Sequence, residues 1–260
     1  MRSYIREKRI ECGPNYLEVD IIPRTSAQDK GVKGKRGRKE KISPPKQKNL
    51  NDKNSHRYFC QLVPTNFWKN DLIAHLTYAP KYMPSSEKSA LKTVKNFIAR
   101  IKYLRKKMGL SELKYILVTE VGKRGRIHHH LIMNGGLDRD TIESLWRMPR
   151  KKGQKEGEKI GWANVDRLQP DEEGLMALCT YLHKNPQGKK RWSASQNLDK
   201  PVSTKNDHKY TKKEVAKIAK NPDDRAYWEK RYESYKFISC KAEYNDVTGW
   251  SLYVRMRRDC

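Results

Sequence analysis

The stretch that decides the fold spans residues 115–134 and reads YILVTEVGKRGRIHHHLIMN. It contains two apolar runs, Tyr115–Val121 and Ile127–Met133, rich in the Ile, Leu, Val and Thr residues that favour strands. The five residues between the runs include two glycines, which is typical of a hairpin loop. The stretch therefore predicts an antiparallel β-hairpin.

The register of this hairpin gathers side chains that bind metals. A hairpin symmetric about Arg124 places Glu120 opposite His128. Because side chains alternate along a strand, His128, His130 and Glu120 share one face, while His129 points to the other. Two imidazoles and a carboxylate form a ligand set for a divalent metal ion. The alternative is a chance cluster with one histidine packed in the core.

The composition indicates a polyanionic partner. The chain has 57 Lys and Arg residues against 30 Asp and Glu residues, a net charge of +27 that favours nucleic acid. An anionic membrane competes as partner, but the sequence has no long apolar run, signal-peptide core or lipidation motif. Five scattered cysteines without a C-x-x-C pair fit a reducing cytoplasm rather than a disulfide framework. We therefore expect a cytoplasmic protein with no membrane partner.

The segments around the hairpin predict an α+β fold, an antiparallel sheet with helices packed on it. Residues 72–79 and 162–168 have strand composition. Apolar residues recur at helical spacing over residues 90–104, and either Ser85 or Ser86 is placed to cap that helix. Residues 171–184 predict a further helix that ends before an Asn-Pro pair.

Three regions follow from these patterns. Residues 1–48 hold a strand candidate and, at 30–48, a Lys/Arg/Gly-rich segment that we expect to be a flexible basic arm contacting phosphates, or else a solubilising tail. Residues 49–192 form the expected catalytic domain and begin with a helix. Residues 193–260 have helix and strand signals, and either continue the sheet or form a separate unit.

A second group of candidate residues lies on the predicted helix over 171–184. Tyr181 lies at the edge of its apolar stripe and Lys184 lies one turn further, so a phenol and an ammonium emerge together. A tyrosine on a rigid element can attack phosphorus as a covalent nucleophile. Packing is the ordinary alternative, since the chain has 14 tyrosines.

Three motifs in this order resemble those of HUH-endonuclease replication initiators, the rolling-circle Rep proteins of phages, plasmids and small single-stranded DNA viruses. They are HLTY at 75–78, GRIHHH at 125–130 and YLHK at 181–184, the last matching YxxK. Glu120 matches the family's frequent third metal ligand. His129 stands where a bulky hydrophobic residue is usual, so we expect it to tolerate a hydrophobic replacement. The resemblance covers about residues 72–190.

The resemblance implies an RRM-like or ferredoxin-like sheet with Mg²⁺ or Mn²⁺ on His128, His130 and Glu120. It implies that Tyr181, assisted by Lys184, attacks single-stranded DNA at an origin hairpin, becomes joined to the 5′ phosphate and frees a 3′-OH for a polymerase. Attack by that 3′-OH later reseals the strand. Imidazole ligands suit Mn²⁺ better than Mg²⁺, so we expect higher activity with Mn²⁺.

Two details place the chain within this family. Positions 177 and 185 are Ala and Asn, which indicates an enzyme with a single catalytic tyrosine. The tyrosine follows the histidine motif, which favours a Rep protein over a relaxase or transposase. No P-loop motif is present, so the resemblance implies a host helicase and polymerase as partners, in the cytoplasm of a bacterial host. The expected DNA-binding residues are Arg124, Arg126, Lys189, Lys190, Arg191 and Trp192.

Two other functions were weighed against this one. A two-histidine phosphoesterase needs two H-x-[ST] motifs, and only His75 and Thr77 supply one. A non-catalytic nucleic-acid-binding protein would fit the charge and the tryptophans Trp146, Trp162 and Trp192, on which bases could stack. It leaves the pairing of a metal-like cluster with Tyr181 unexplained.

Overall fold

The computed structural model describes residues 3–29, 45–122, 125–183 and 192–258, which divide into two compact units. The first unit comprises the described residues of Met1–Thr65, Glu172–Gly174 and Lys200–Cys260, and the second those of Asn66–Asp171 and Leu175–Asp199. This division differs from the boundaries predicted after residues 48 and 192. The predicted C-terminal region instead shares a unit with the N-terminal strands.

Ten strands among the described residues form two antiparallel five-stranded sheets. They are β1 (Ser3–Cys12), β2 (Tyr16–Thr25), β3 (Leu72–Leu76), β4 (Tyr115–Val121), β5 (Ile127–Met133), β6 (Ala163–Arg167), β7 (Ser193–Ala194), β8 (Val202–Asn206), β9 (Lys236–Asn245) and β10 (Gly249–Arg257). The α-helices in the same residues are α1 (Pro45–Asn66), α2 (Glu87–Lys107), α3 (Arg139–Ser144), α4 (Met176–Leu182), α5 (Lys212–Ile218) and α6 (Arg225–Arg231). The predicted α+β class, with helices packed on antiparallel sheets, is confirmed. Within the described residues no helix has the length and hydrophobicity that crossing a bilayer requires.

The second unit is built around the predicted hairpin. Its sheet has the order β6-β3-β5-β4-β7, and the chain runs through it as β-α-β-β-α-β from β3 to β6. The hairpin register is the predicted one, since Glu120 pairs with His128 and Val118 with His130. The apolar side of this sheet packs with the apolar face of α2 in one core.

Helix α2 begins where the serine pair predicts. Ser86 is the N-cap, because its hydroxyl accepts a hydrogen bond from the backbone N–H of Ser89 and completes a capping box. Buried Val94, Phe97 and Ile101 lie on the apolar face of the helix. The helix ends before Gly109, whose φ of +67° favours glycine.

The first unit joins both ends of the described chain in one sheet of order β8-β1-β2-β10-β9. Strand β10 pairs with β2, so that Leu252, Val254 and Met256 lie opposite Ile21, Val19 and Leu17. The C-terminal strands therefore do not continue the hairpin sheet. Apolar pairs on a buried face account for this choice of partner.

Two predicted segments differ from the structure. Helix α4 begins at Met176 rather than near residue 171, because Gly174 adopts a φ of +74° just before it and interrupts the acidic first turn. The last four residues of the predicted flexible arm, 45–48, belong to α1. The rest of that arm, residues 30–44, lies outside the described residues.

Replacing the α2 N-cap tests the capping geometry. Ser86→Ala is expected to lower the free energy of unfolding by about 1 kcal/mol, because one amide of the first turn loses its acceptor. Ser85→Ala, one residue away, is the matched control and is expected to change it by less than about 0.5 kcal/mol. Denaturant unfolding followed by circular dichroism measures both. Equal losses in the two variants would contradict the assignment of Ser86 as the cap.

Candidate active site

Three neighbouring strands bring a histidine pair and a carboxylate together in the second unit. Strand β3 pairs with β5 so that His75 lies opposite His130, and the Nδ1 atoms of these two rings are 2.8 Å apart. On its other side His130 Nε2 lies 3.5 Å from Glu120 Oε2. His130 is therefore the central residue of the cluster, with one ring nitrogen directed at each neighbour.

Burial keeps this central histidine uncharged. His130 is buried, and this burial, together with the charge on His75, lowers its pKa to about 4 although Glu120 acts in the opposite direction. Burial also lowers the pKa of His75, against the effect of Asp166. At neutral pH His130 is thus a neutral imidazole, the form that has a lone pair for a metal or a proton.

Tyr181 joins this cluster from helix α4. Its side chain is 57% exposed, and its ring centroid lies 5.9 Å from that of His130, with the rings nearly perpendicular. Two residues far apart in the chain, from two different predicted motifs, are therefore in contact. Lys184, the predicted partner of Tyr181, lies outside the described residues.

The metal prediction is matched by the chemistry of the donors but not by a closed set of ligands. Neutral imidazoles and a carboxylate suit Mn²⁺ or Mg²⁺. Among the described residues, however, no three His, Cys, Asp or Glu side chains converge on one point that would hold an ion. His128 shares the face of Glu120 by register, and its Nε2 lies against the backbone of Gly122 at the end of the loop. The metal site therefore stays a prediction.

His129 points to the opposite face, as the alternation of β5 predicts, and is fully buried there. Its Nε2 lies 2.9 Å from the Tyr78 hydroxyl and its Nδ1 lies 2.9 Å from the Thr119 hydroxyl. Burial lowers its pKa to about 3, so the ring is neutral in the core. His129 occupies a core position, but it has two polar partners that a hydrophobic replacement would leave behind.

The predicted DNA-binding residues are only partly within the described residues. Arg126 is exposed where β5 begins, and Trp192 is half-buried just before β7. The three tryptophans weighed for base stacking differ in exposure, since Trp146 is 1% exposed and Trp162 is 82% exposed. Positions 124 and 189–191, with the predicted Arg124, Lys189, Lys190 and Arg191, lie outside the described residues.

His75 is the residue that sequence reasoning noted in a motif but did not place in the site. Its place depends on the pairing of β3 with β5, two strands separated by helix α2 and strand β4. The strand pattern of residues 72–79 was readable, but it does not say which strand lies beside it. The histidine itself was the available signal, because it interrupts an apolar strand.

Replacing the buried histidine tests its polar role. His129→Leu is expected to lower the free energy of unfolding by about 1–3 kcal/mol, because the hydroxyls of Tyr78 and Thr119 lose their partner. The triple variant that adds Tyr78→Phe and Thr119→Val removes both hydroxyls and is expected to recover part of that loss. Denaturant unfolding compares the two. A stable His129→Leu variant would show that the position needs only bulk.

Comparison with known proteins gives one match. Residues 71–186 match a family model described as replication-associated protein, of the ORF2 type. The matched segment is somewhat under half of the chain and contains His75, the histidine motif and Tyr181. Neither the curated proteins nor the solved structures yield a match. The match supports a replication-initiator family for this segment.

Proposed function

We propose, from the likeness of residues 71–186 to replication-associated proteins, that this chain initiates rolling-circle replication. In this proposal it nicks single-stranded DNA at an origin hairpin through a 5′-phosphotyrosine intermediate and later rejoins the strand. The observation that carries the proposal is the contact of Tyr181 with His130, in a cluster that also holds His75 and Glu120. A nucleophile candidate beside neutral imidazoles and a carboxylate suits phosphoryl transfer.

Tyr181 is the proposed nucleophile. Its exposed side chain on a packed helix is accessible to a DNA strand, and the neighbouring elements fix its position. The bond from its hydroxyl oxygen to phosphorus forms as the bond from phosphorus to the 3′ oxygen breaks, which leaves a 3′-OH that a polymerase can extend. The reverse attack by a 3′-OH restores the phosphodiester and releases the tyrosine.

The imidazole cluster is the proposed site of a divalent cation. His128, His130 and Glu120 would hold Mg²⁺ or Mn²⁺, which when bound polarises the scissile phosphate. His75 orients His130, because a hydrogen bond between their Nδ1 atoms fixes the ring and leaves Nε2 directed at Glu120. Lys184 is proposed to stabilise charge on the phosphate.

The remaining charge of the chain serves the DNA backbone. Arg126 is exposed beside the histidines, and Arg124, Lys189, Lys190, Arg191 and Trp192 complete the proposed contact set. A net charge of +27 attracts phosphate independently of base sequence. A host helicase and polymerase are the proposed protein partners.

Covalent capture of DNA tests the nucleophile. With Mn²⁺ and a single-stranded origin oligonucleotide labelled at its 3′ end, the label is expected to stay with the protein on a denaturing gel, since the 5′ phosphate of that fragment is joined to tyrosine. Tyr181→Phe is expected to abolish the labelled band, while Tyr103→Phe, which removes an exposed hydroxyl from α2, retains it. An undiminished band in Tyr181→Phe would exclude this residue as nucleophile.

The same reaction separates catalysis from binding. If DNA is bound but no variant or metal yields the band, the chain is a non-catalytic DNA-binding protein. If a 5′-labelled fragment appears without a covalent band, water rather than tyrosine attacks the phosphate.

Removal of the proposed ligands tests the metal. Replacing His128 and His130 together with alanine is expected to reduce cleavage to background and to leave salt-sensitive DNA binding within about threefold, because phosphate contacts dominate affinity. EDTA is expected to stop cleavage by the unmodified chain, and Mn²⁺ to restore more activity than Mg²⁺. Gel assays of cleavage and fluorescence anisotropy of binding provide the two readouts. Cleavage that persists in EDTA would contradict the metal.

A further inference from the structure

A cleft of about 700 Å³ lies beside the histidine cluster in the second unit. Its walls include His128 and Arg126 at the start of β5, and Gly161 and Trp162 just before β6. We propose that this cleft binds an unpaired nucleobase of single-stranded DNA, next to the reacting phosphate, with Trp162 as its stacking surface. The identity of the strand rests on the proposed function.

Trp162 is an exposed aromatic ring on a fixed backbone. Its side chain is 82% exposed, whereas Trp146 in the wall of the same cleft is 1% exposed. The Trp162 carbonyl accepts hydrogen bonds from the backbone N–H of Thr77, at 2.9 Å, and from the Thr77 hydroxyl, at 3.3 Å. The ring is therefore presented from a defined point at the edge of the sheet.

The neighbouring glycine makes this position possible. A Cβ atom on Gly161 would lie 2.2 Å from the carbonyl oxygen of Thr77 and 2.8 Å from the backbone nitrogen of Ala79. Both are backbone atoms, which cannot move aside as a flexible side chain would. The close approach of the two segments thus holds Trp162 at the mouth of the cleft.

The charges in the cleft favour a base over a phosphate in its interior. Asp140 and Glu143 are among the lining residues, and carboxylates repel phosphate but accept hydrogen bonds from base N–H groups. Arg126 and Lys159, also in the lining, are exposed and available to the flanking phosphates, whereas Arg147 is paired with Glu156 at 2.6 Å. Apolar walls with a few polar groups are typical of a small-ligand pocket of this size.

The position of His128 links the cleft to the cluster. His128 lines the cleft and shares its sheet face with His130, two residues along β5. A strand whose phosphate lies at the cluster therefore has a neighbouring base within reach of Trp162. Stacking on one ring suits an unpaired base, because the bases of a duplex are already stacked on each other.

The test measures binding without cleavage, in EDTA and with Tyr181→Phe in every chain. The probes are oligothymidylate and an abasic deoxyribose-phosphate strand of the same length, which carries the same charge but no bases. Trp162→Ala is expected to weaken oligothymidylate binding roughly tenfold and to leave abasic-strand binding unchanged, since stacking on an aromatic ring is lost. Trp162→Phe is expected to retain most of the affinity, and Tyr103→Ala, which removes an exposed ring from α2, to retain all of it.

Two further measurements complete the test. The salt dependence of affinity is expected to have the same slope with and without Trp162, because no phosphate contact is removed. Intrinsic fluorescence of the parent chain is expected to fall on oligothymidylate binding, and Trp162→Phe to lose that change, which gives a readout even if Trp162→Ala fails to fold.

Specific outcomes would overturn the proposal. These are unchanged oligothymidylate affinity in Trp162→Ala, equal loss on both probes, or a fluorescence change that survives in Trp162→Phe. Tighter, Trp162-dependent binding of oligouridylate would show an RNA site instead. Because no cleavage is measured, absence of a covalent adduct on Tyr181 would overturn the proposed function and leave this base site standing, and the reverse also holds.

Discussion

The two-residue period of strand β5 is the constraint on which the rest of the second unit depends. Successive side chains of a strand point to opposite faces, so three consecutive histidines cannot share one role. His129 is directed into the core, where Tyr78 and Thr119 bind both of its ring nitrogens. His130 is directed to the other face, where His75, Glu120 and Tyr181 surround it. One strand thus anchors the core and supports the candidate site.

The sequence was most informative where the decisive contacts are local. The hairpin and its register follow from two runs that are close together in the chain, and the N-cap of α2 from a pair of adjacent serines. It was least informative where partners are distant, because alternation shows that a segment is a strand but not which strand pairs with it. The place of His75 opposite His130 and the pairing of β10 with β2 both depended on such partners. Strand β8, exposed along its length, lacks even the alternation.

The candidate site combines the two kinds of information. Glu120 and His128 could be assigned to one face from the hairpin alone, whereas the contact between Tyr181 and His130 required the packing of α4. The exposure of Trp162 beside buried Trp146 was likewise hidden in the sequence, where nothing around either tryptophan tells the two apart. Burial separates a packing residue from a binding residue, and burial is a property of the assembled core.

The pairing of β2 with β10 bears on how the chain folds during synthesis. The strands of the first unit's sheet come from both sides of the second unit in the sequence, while nearly all of the second unit is one intervening stretch. Contacts across so many residues form slowly, since a long loop must close before they are gained. The stretch that contains Tyr181 and the histidines can therefore fold while the ribosome is still adding β9 and β10. Until those two strands emerge, β2 has an unpaired edge, which is a site for association with other chains.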